Sequence, residues 1–415
     1  PISIMGIKRY AADLGYAAGV YPSSEVAEGV PGPRVAVVGA GAAGLSAANT
    51  LARLGARVTV FDPNEEPGGM MRYGVTEFRF PLEAILSDVK FVFGRGIHFQ
   101  GSVAFGKDAT FATLEREGFD AVLVAVGAWE SVRLPGAGGE EQGYFEALSF
   151  LTRVRKHQPL HLHGRVVVIG GGNVAIDVAR TALRMGAADV TVACVESREA
   201  MPAFSWEVEE AVSEGAKLLP GTAVKRFVAK GGRVTGFEAL QVERVDLDDQ
   251  GRVVPRTVSG TEFDVPADAV IMAIGSRADL SFLPPGTARK AVDPAHHVFR
   301  LIFPGGEPRI AAYICGDCVR GPGTVVEASA SGRAAALNIY GDLCVEEVRK
   351  ARYRDNYRRR FEPQVSDRPE WRIRRNAERI PPGESRRSFE EVEKRFTEEC
   401  ARHESERCAR CNLSL

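Results

Sequence analysis

The 415-residue chain has almost no net charge: 53 Lys+Arg stand against 54 Asp+Glu, a formal −1 at pH 7. That balance supplies no global field to gather nucleic acid or an anionic surface. Cysteine is scarce as well, seven in all, an odd number without framework spacing, which argues against a disulfide-stapled secreted scaffold. No apolar run reaches the ~18 residues needed to span a bilayer. The opening Pro1-Ile2-Ser3-Ile4-Met5 lacks the basic end and apolar core of a secretory signal. These absences give a cytoplasmic protein with reduced thiols as the expectation, without a nucleic-acid partner or a membrane span. The seven histidines form no metal-ligand cluster, since His161 and His163 read as loop and His296-His297 as an exposed turn. No Ser/His/Asp arrangement recommends nucleophilic catalysis either. What remains is a globular composition, 45% hydrophobic and 26% charged, long enough at roughly 150 residues each for two or three domains.

Glycine, by contrast, is abundant: 44 of 415 residues, above the usual ~7%. The first cluster follows the five-residue strand Arg34-Val35-Ala36-Val37-Val38, whose composition suits a parallel strand buried on both faces. There Gly39-x-Gly41-x-x-Gly44 leads into an Ala/Leu helix expected over residues 45–54 and stopped at Gly55. In such a turn the first glycine permits the tight bend, the second lets backbone approach a pyrophosphate, and the third lets helix pack on strand. The helix N-terminus adds free N–H groups and partial positive charge. A second strand, Arg57-Val58-Thr59-Val60-Phe61, ends in Asp62, placed to accept from ribose hydroxyls. Strand, turn, helix, strand and acid in register predict a dinucleotide site.

The pattern returns downstream. Arg165-Val166-Val167-Val168-Ile169 is a strand, Gly170-x-Gly172-x-x-Ala175 the turn with Ala as its third member, and a helix is expected over residues 176–185. Asn173 and Val174 belong to this second turn. Its acidic candidate is Glu196 in Cys194-Val195-Glu196-Ser197-Arg198. A carboxylate there pairs with a 2′-hydroxyl and repels a 2′-phosphate, favouring NAD over NADP, whereas Arg198 two residues on is able to catch a phosphate. Two late strands each end in glycine, residues 121–126 at Gly127 and residues 269–274 at Gly275. The architecture is therefore α/β with two Rossmann-type domains. Further candidates are Gly68-Gly69-Met70-Met71-Arg72-Tyr73-Gly74 and Ile314-Cys315-Gly316-Asp317-Cys318, the latter followed by Gly323-Thr324-Val325-Val326-Glu327. Asp317 is suited to hydrogen-bond a ribityl chain, and the backbone at Thr324, Val325 and Val326 to stabilise negative charge on a reduced flavin N1.

This set of motifs resembles the small-subunit family of glutamate synthase, a group of FAD- and pyridine-nucleotide-dependent oxidoreductases. Relatives include the flavin domains of dihydropyrimidine dehydrogenase and of NADH-dependent ferredoxin:NADP oxidoreductases. The resemblance covers nearly the whole chain: residues 35–45 look like the family's FAD fingerprint, residues 68–75 like its Gly-Gly-Leu-Leu-Arg-Tyr-Gly-Ile element, and residues 170–180 like its nicotinamide fingerprint. It implies FAD held by Gly39, Gly41, Ala43, Gly44, Asp62, Gly69, Met70, Arg72, Val103, Gly127, Gly316, Asp317, Thr324, Val325 and Val326. It implies NAD(H) held by Gly170, Gly172, Asn173, Val174, Ala175, Glu196, Ser197, Arg198 and Gly275. No side chain is expected to act as acid or base, because hydride passes between cofactors. NADPH-using relatives usually carry Arg-Arg before the Ser-Arg pair. This chain has Val195-Glu196 there, which strengthens the expectation of NAD.

The implied organisation is an N-terminal arm (1–33), a FAD domain (34–150 and 285–345), an inserted NAD domain (151–284), and an Arg/Glu-rich C-terminal arm with a terminal helix (346–415). In such relatives an Fe–S domain usually precedes a segment like residues 1–13, but no Cys occurs before Cys194. Either that domain was trimmed or the clusters belong to another subunit, so the expected partner is an Fe–S, ferredoxin-like protein in a hetero-oligomer. An aldehyde oxidoreductase complex is one such setting, by analogy of architecture. In the C-terminal arm, Ser388-Phe389-Glu390-Glu391 reads as a capping-box start with Val392, Phe396 and Cys400 along one helical face. Cys408 and Cys411 near its end are two thiolates where a [4Fe–4S] cluster commonly takes four, so a relic or contact edge is favoured over donation to a partner's cluster. Within the same resemblance, a glutamate synthase small subunit proper is an alternative. A disulfide reductase using Cys315-x-x-Cys318 and a non-catalytic dinucleotide-binding scaffold are rivals from other classes.

Overall fold

In the computed structural model, residues 3–19, 32–134, 141–160, 162–248, 253–344 and 374–406 are described. Two parallel sheets grow from the two glycine-turn strands. Arg34–Val38, buried from its second residue onward, is flanked in parallel by Arg57–Phe61 and Ala121–Val124. Its sheet has seven strands in the order Ala288–Asp293, Val298–Ile302, Ala311–Ile314, Ala121–Val124, Arg34–Val38, Arg57–Phe61, His98–Gln100. The first two strands of that order are antiparallel additions and the other five run parallel. Arg165–Ile169 lies inside a five-stranded parallel sheet ordered Tyr144–Glu146, Ala269–Met272, Arg165–Ile169, Asp189–Ala193, Lys217–Leu219. An antiparallel layer of Thr222–Lys230, Arg233–Leu247, Val253–Thr257 and Phe263–Pro266 follows it.

The helix after each turn starts about three residues earlier than the sequence predicts, at Ala42–Arg53 and Asn173–Arg184. Glycine at each cap position leaves no side chain to end the helix sooner, so the turn's own residues enter the first helical turn. Ala42–Arg53 buries Ala43, Gly44, Leu45, Ala47, Ala48 and Leu51. Its partner is the 19-residue helix Val325–Leu343, and a Cβ built on Gly332 there would lie 2.0 Å from the carbonyl oxygen of Ala43. Backbones this close require glycine.

The described parts of both arms pack against the body. The N-terminal helix Ile4–Ala17 lies against the C-terminal helix Glu398–Glu406: the Ser3 N–H donates to Glu404 (2.8 Å), and Gly6 sits on the Phe396 ring. The capping box expected at Ser388 does not form. The Ser388 hydroxyl instead accepts from the Glu390 N–H two residues on (3.0 Å), a local turn that competes with helix initiation, and the helix begins only at Glu398. Val392 and Phe396 are nevertheless buried, at 9% and 6% exposure, from non-helical backbone.

The C-terminal segment is fastened by an ionic cluster inside the protein. Arg180, only 1% exposed, donates to Glu214 through Nε (2.9 Å) and Nη2 (2.7 Å), and Arg184 donates to the same carboxylate at 2.7 and 2.9 Å. The Ser385 hydroxyl adds a further bond to Glu214 (2.9 Å), and Arg184 Nε donates to the Ser388 carbonyl (2.9 Å). Both guanidiniums stack over the buried Phe78 ring, at 4.8 and 3.8 Å from its centre. One residue on, Arg79 pairs with Asp177 and with Glu207 (2.8 Å). The segment after the first sheet's turn, the second glycine-turn helix and the C-terminal segment therefore meet at one charged knot.

Burial alone raises the pKa of the Glu214 carboxyl, but the hydrogen bonds from Arg184 and Arg180 outweigh it and hold the group at about 2. The carboxylate's contribution is thus complete above its ordinary 4.5 and is lost as pH falls toward 2. Replacing it leaves buried guanidiniums short of counter-charge, so Glu214→Gln is expected to lose about 3–5 kcal/mol near neutral pH. Urea unfolding across pH checks this: the gap to the parent chain should narrow below pH 4.5, and a pH-independent gap would contradict it.

Candidate functional site

The two glycine turns repeat one geometry. The Gly39 N–H donates to the Phe61 carbonyl and the Gly170 N–H to the Ala193 carbonyl, both at 2.8 Å. Gly39 has φ +109° and Gly170 φ +138°, and a Cβ on either would lie 2.3 Å from a backbone oxygen, of Ala125 and Ala273 respectively. In the first turn the third position also needs glycine, because a Cβ on Gly44 would meet the Gly39 oxygen at 1.8 Å. Ala175 takes that place in the second turn and is fully buried. Neither helix has a capping side chain, so each presents first-turn N–H groups to an anion.

Around the first turn, Gly69 packs on Gly41, with a built Cβ 2.5 Å from the Gly41 Cα. Met70 and Arg72 follow in the short helix Gly69–Tyr73. Asp62 is 5% exposed and is already engaged: Oδ2 accepts from the Ala40 N–H (2.8 Å) and Oδ1 from the Asn64 N–H (2.9 Å) and side-chain amide (3.0 Å). It shapes the turn as well as facing it. The Val103 N–H returns to the Asp62 carbonyl (3.0 Å), and Gly127 adopts φ +73°. Gly316, at φ +76°, presses on Ala43, and its N–H donates to the Ser331 hydroxyl (2.9 Å). Asp317 beside it has a buried Oδ1 without a hydrogen-bond partner, and burial raises its pKa. A buried polar atom left unpaired is costly and points to a group it is meant to meet. At the start of Val325–Leu343, Thr324 and Glu327 form a capping box, leaving the Val325 and Val326 N–H groups beyond the intrahelical ladder. The residues present therefore fit a bound FAD: an uncapped helix N-terminus at the first glycine turn, two backbone N–H groups at the start of Val325–Leu343, and an orphaned carboxylate.

Around the second turn, the Asn173 side chain accepts from the Phe204 N–H (2.9 Å) and the Gly171 carbonyl from the Ala203 N–H (3.0 Å). These bonds fold residues 197–203 over the glycines. Glu196 Oε2 lies 2.8 Å from where a Gly171 Cβ would be. Ser197 and Arg198 are exposed, and Arg198 opens a single 3-10 turn. A cavity of about 640 Å³ is lined by Gly170, Gly172, Asn173, Val174, Glu196 and Gly275, and also by Arg320, Gly323, Thr324 and Glu327. One opening thus runs from the second dinucleotide turn to the helix start beside Asp317. The sequence reading missed Arg320 and Glu327, paired at 2.8 Å. The Thr-x-x-Glu spacing of a capping box was the signal that was available for Glu327.

Cys315 and Cys318 are buried free thiols, and Cys318 Sγ donates to the Cys315 carbonyl (3.0 Å). Burial pushes the Cys318 pKa up to about 11 and that of Cys315 higher still. Thiols held protonated are poor nucleophiles. Cys408 and Cys411 lie outside the described residues. Among the described residues no group of three or more His, Cys, Asp or Glu is able to hold a metal ion, and no helix is long and apolar enough to cross a membrane.

A family model described as pyridine nucleotide-disulphide oxidoreductase matches residues 33–332. The chain is 34% identical to the NADP(+)-dependent formate dehydrogenase subunit beta of Moorella thermoacetica, over 99% of this chain and 62% of that protein. It is also 34% identical to the glutamate synthase [NADPH] small chain of Escherichia coli, over 81% of this chain and 74% of that one. Among solved structures, the FprA protein of Mycobacterium tuberculosis aligns with a TM-score of 0.62 at 19% identity, covering 77% of this chain and 86% of that one, a likeness of fold. The chain therefore belongs to the pyridine nucleotide-disulphide oxidoreductase family, alongside the glutamate synthase small chains and related beta subunits. It spans less than two thirds of the length of the formate dehydrogenase relative.

Asp317→Ala is expected to weaken FAD retention at least about tenfold, since it removes a buried acceptor, while pyridine-nucleotide affinity stays unchanged. Flavin content after dialysis, with nucleotide binding by calorimetry, checks both halves.

Proposed function

We propose that this chain is the flavin- and nicotinamide-binding unit of a hetero-oligomeric redox complex, an FAD-dependent NAD(P)H oxidoreductase that delivers single electrons to an Fe–S partner. The observation that carries this reading is the one cavity lined both by the second dinucleotide turn and by the Thr324 helix start next to Asp317. A nicotinamide dinucleotide anchored at Gly170–Ala175 reaches the flavin end of that cavity. When bound, FAD supplies the exchange between two-electron and one-electron chemistry. The chain's own contribution is placement and electrostatics. Gly39, Gly41 and Gly44 bring a helix N-terminus to the FAD pyrophosphate, with Ala43, Gly69, Met70, Arg72, Val103 and Gly127 around it. Asp317 accepts from the ribityl chain, and the Val325 and Val326 N–H groups face negative charge on the flavin. The formate dehydrogenase and glutamate synthase relatives are themselves named as subunits or chains, which supports a complex.

Within this reading NADH is preferred over NADPH. Glu196 lines the cavity, and its carboxylate pairs with a ribose 2′-hydroxyl and repels a 2′-phosphate, whereas Arg198 is exposed outside that lining. The relatives reported above carry NADP in their names, so the preference rests on this one side chain. The buried, protonated Cys315 and Cys318 disfavour a disulfide reductase.

Anaerobic titration with NADH and with NADPH, following the visible absorbance of the flavin, tests the function. NADH is expected to bleach the flavin at the lower concentration, and Glu196→Arg to move the NADPH-to-NADH efficiency ratio up by about tenfold or more. A flavin that neither nucleotide bleaches would leave only a binding scaffold. Cys318→Ala should keep both FAD and NADH bleaching, and loss of turnover with FAD retained would restore the disulfide reading.

A further inference from the structure

The flavin end of the shared cavity carries an ion pair that the dinucleotide fingerprints do not include. Arg320 Nη2 donates to Glu327 Oε1 (2.8 Å), while Glu327 Oε2 accepts from the Thr324 N–H (2.9 Å) and hydroxyl (2.8 Å). A side chain at Gly323 would collide with Arg320 Nη1 at 3.0 Å, so this loop leaves the guanidinium room to lie beside the carboxylate. The pair is fixed from both sides and still partly open, with the Arg320 side chain 23% and that of Glu327 46% exposed. Both residues line the cavity, together with Gly323 and Thr324.

An Arg–Glu pair held side by side offers a fork of N–H donors next to an acceptor-only carboxylate with about one lone-pair site to spare. That pattern is the complement of a primary carboxamide, which presents one acceptor oxygen and one NH₂ donor. Resting on the proposed function, we propose that Arg320 and Glu327 read the carboxamide of the nicotinamide ring: Arg320 donates to its carbonyl oxygen and Glu327 accepts from its NH₂. The adenosine end is then selected at Glu196, the pyrophosphate is held at Gly172 and Asn173, and the ring's orientation is set at Arg320–Glu327. Orientation matters because hydride transfer requires one face of the ring against the flavin, and a freely turning ring spends most of its time misplaced. Glu327 is ionised throughout the working pH range, because the bonds from Arg320 and from the Thr324 backbone hold its pKa at about 2.

The test uses the flavin-loaded chain and equilibrium binding by calorimetry, with three probes: NAD⁺, its 3-acetylpyridine analogue and ADP-ribose. The analogue keeps the carbonyl and replaces NH₂ by CH₃, so it loses only the bond to Glu327. ADP-ribose lacks the ring altogether. The parent chain is expected to bind NAD⁺ about tenfold tighter than the analogue, as one hydrogen bond to a charged group allows. In Glu327→Met that ratio should fall to about 1, and in Arg320→Met both dinucleotides should weaken by about tenfold. ADP-ribose affinity and flavin content should be unchanged in each, which shows that the variants are folded. An unchanged NAD⁺-to-analogue ratio in Glu327→Met, with ADP-ribose still binding, would overturn the proposal and leave the proposed function standing. If neither dinucleotide nor ADP-ribose binds the parent chain, both fall together.

Discussion

Both halves of this protein depend on a backbone approach that any side chain would block. At Gly39 and at Gly170 the chain leaves its strand with positive φ and passes within a Cβ's width of a neighbouring strand's carbonyl, Ala125 in one case and Ala273 in the other. That approach pins the turn to the sheet and aims the following helix outward with its first N–H groups free. Everything downstream inherits this placement. The anion-binding ends are fixed relative to the late strands, and those strands carry Gly127 and Gly275 to the edges of the two sites. The first half tightens the constraint further, because Gly44 touches Gly39, Gly332 touches Ala43 and Gly316 touches Ala43. Three elements distant in sequence converge there without room for a methyl group.

The second dependence is electrostatic and lies away from the nucleotides. Phe78 and Arg79, from the segment that follows the first domain's Gly-Gly element, enter the face of the second glycine-turn helix. There Arg180 and Arg184 lie over the Phe78 ring and donate together to Glu214. The C-terminal segment closes the cluster through Ser385 and Ser388. Five hydrogen bonds on one buried carboxylate satisfy it fully, which is the condition for a buried ionic group to be retained without a large net cost. A cavity lined from both halves keeps its shape only if they keep their relation, and Arg79, paired with Asp177 and Glu207, ties the segment after the first glycine turn to the helix after the second.

Much of this was legible in the sequence, and the reasons for success and failure differ. The strand Arg34–Val38 and the glycine spacing after it are local signals, since steric demand selects glycine at those positions whatever the rest of the chain does. The same holds for the strand Arg165–Ile169 and its turn. Asp317 stands out in the sequence by the motif around it, and the structure adds an observation the sequence does not carry, a buried Oδ1 without a hydrogen-bond partner. The terminal helix was misplaced because Ser388 satisfies a local turn as readily as a helix cap, and only tertiary packing of Val392 and Phe396 decides between them. The Arg180–Glu214 cluster was invisible because its members lie 34 residues apart. Arginines four apart on a helix ordinarily signal a solvated face. Here they face inward only because Phe78, a hundred residues earlier in the chain, supplies an aromatic floor.

The charges lining the cavity explain how a site with two carboxylates is able to hold an anionic dinucleotide. Glu196 and Glu327 both line it, Glu196 with its Oε2 close to Gly171 and Glu327 in the pair with Arg320. The same cavity is lined by the uncapped N-terminus of Asn173–Arg184, whose partial positive charge and first-turn N–H groups are fixed by the backbone. Glu327 is further neutralised by Arg320, so its field reaches only the nearest donor. Glu196 lines the same cavity with its Oε2 beside Gly171, and in the proposed reading its charge acts on whatever group the adenosine ribose carries. A 2′-hydroxyl gains an acceptor there. In the proposed reading a 2′-phosphate would meet like charge there, with the exposed, solvent-screened Arg198 to offset it. In the proposed reading, discrimination between the two nucleotides would follow from the charge that Glu196 presents to the cavity.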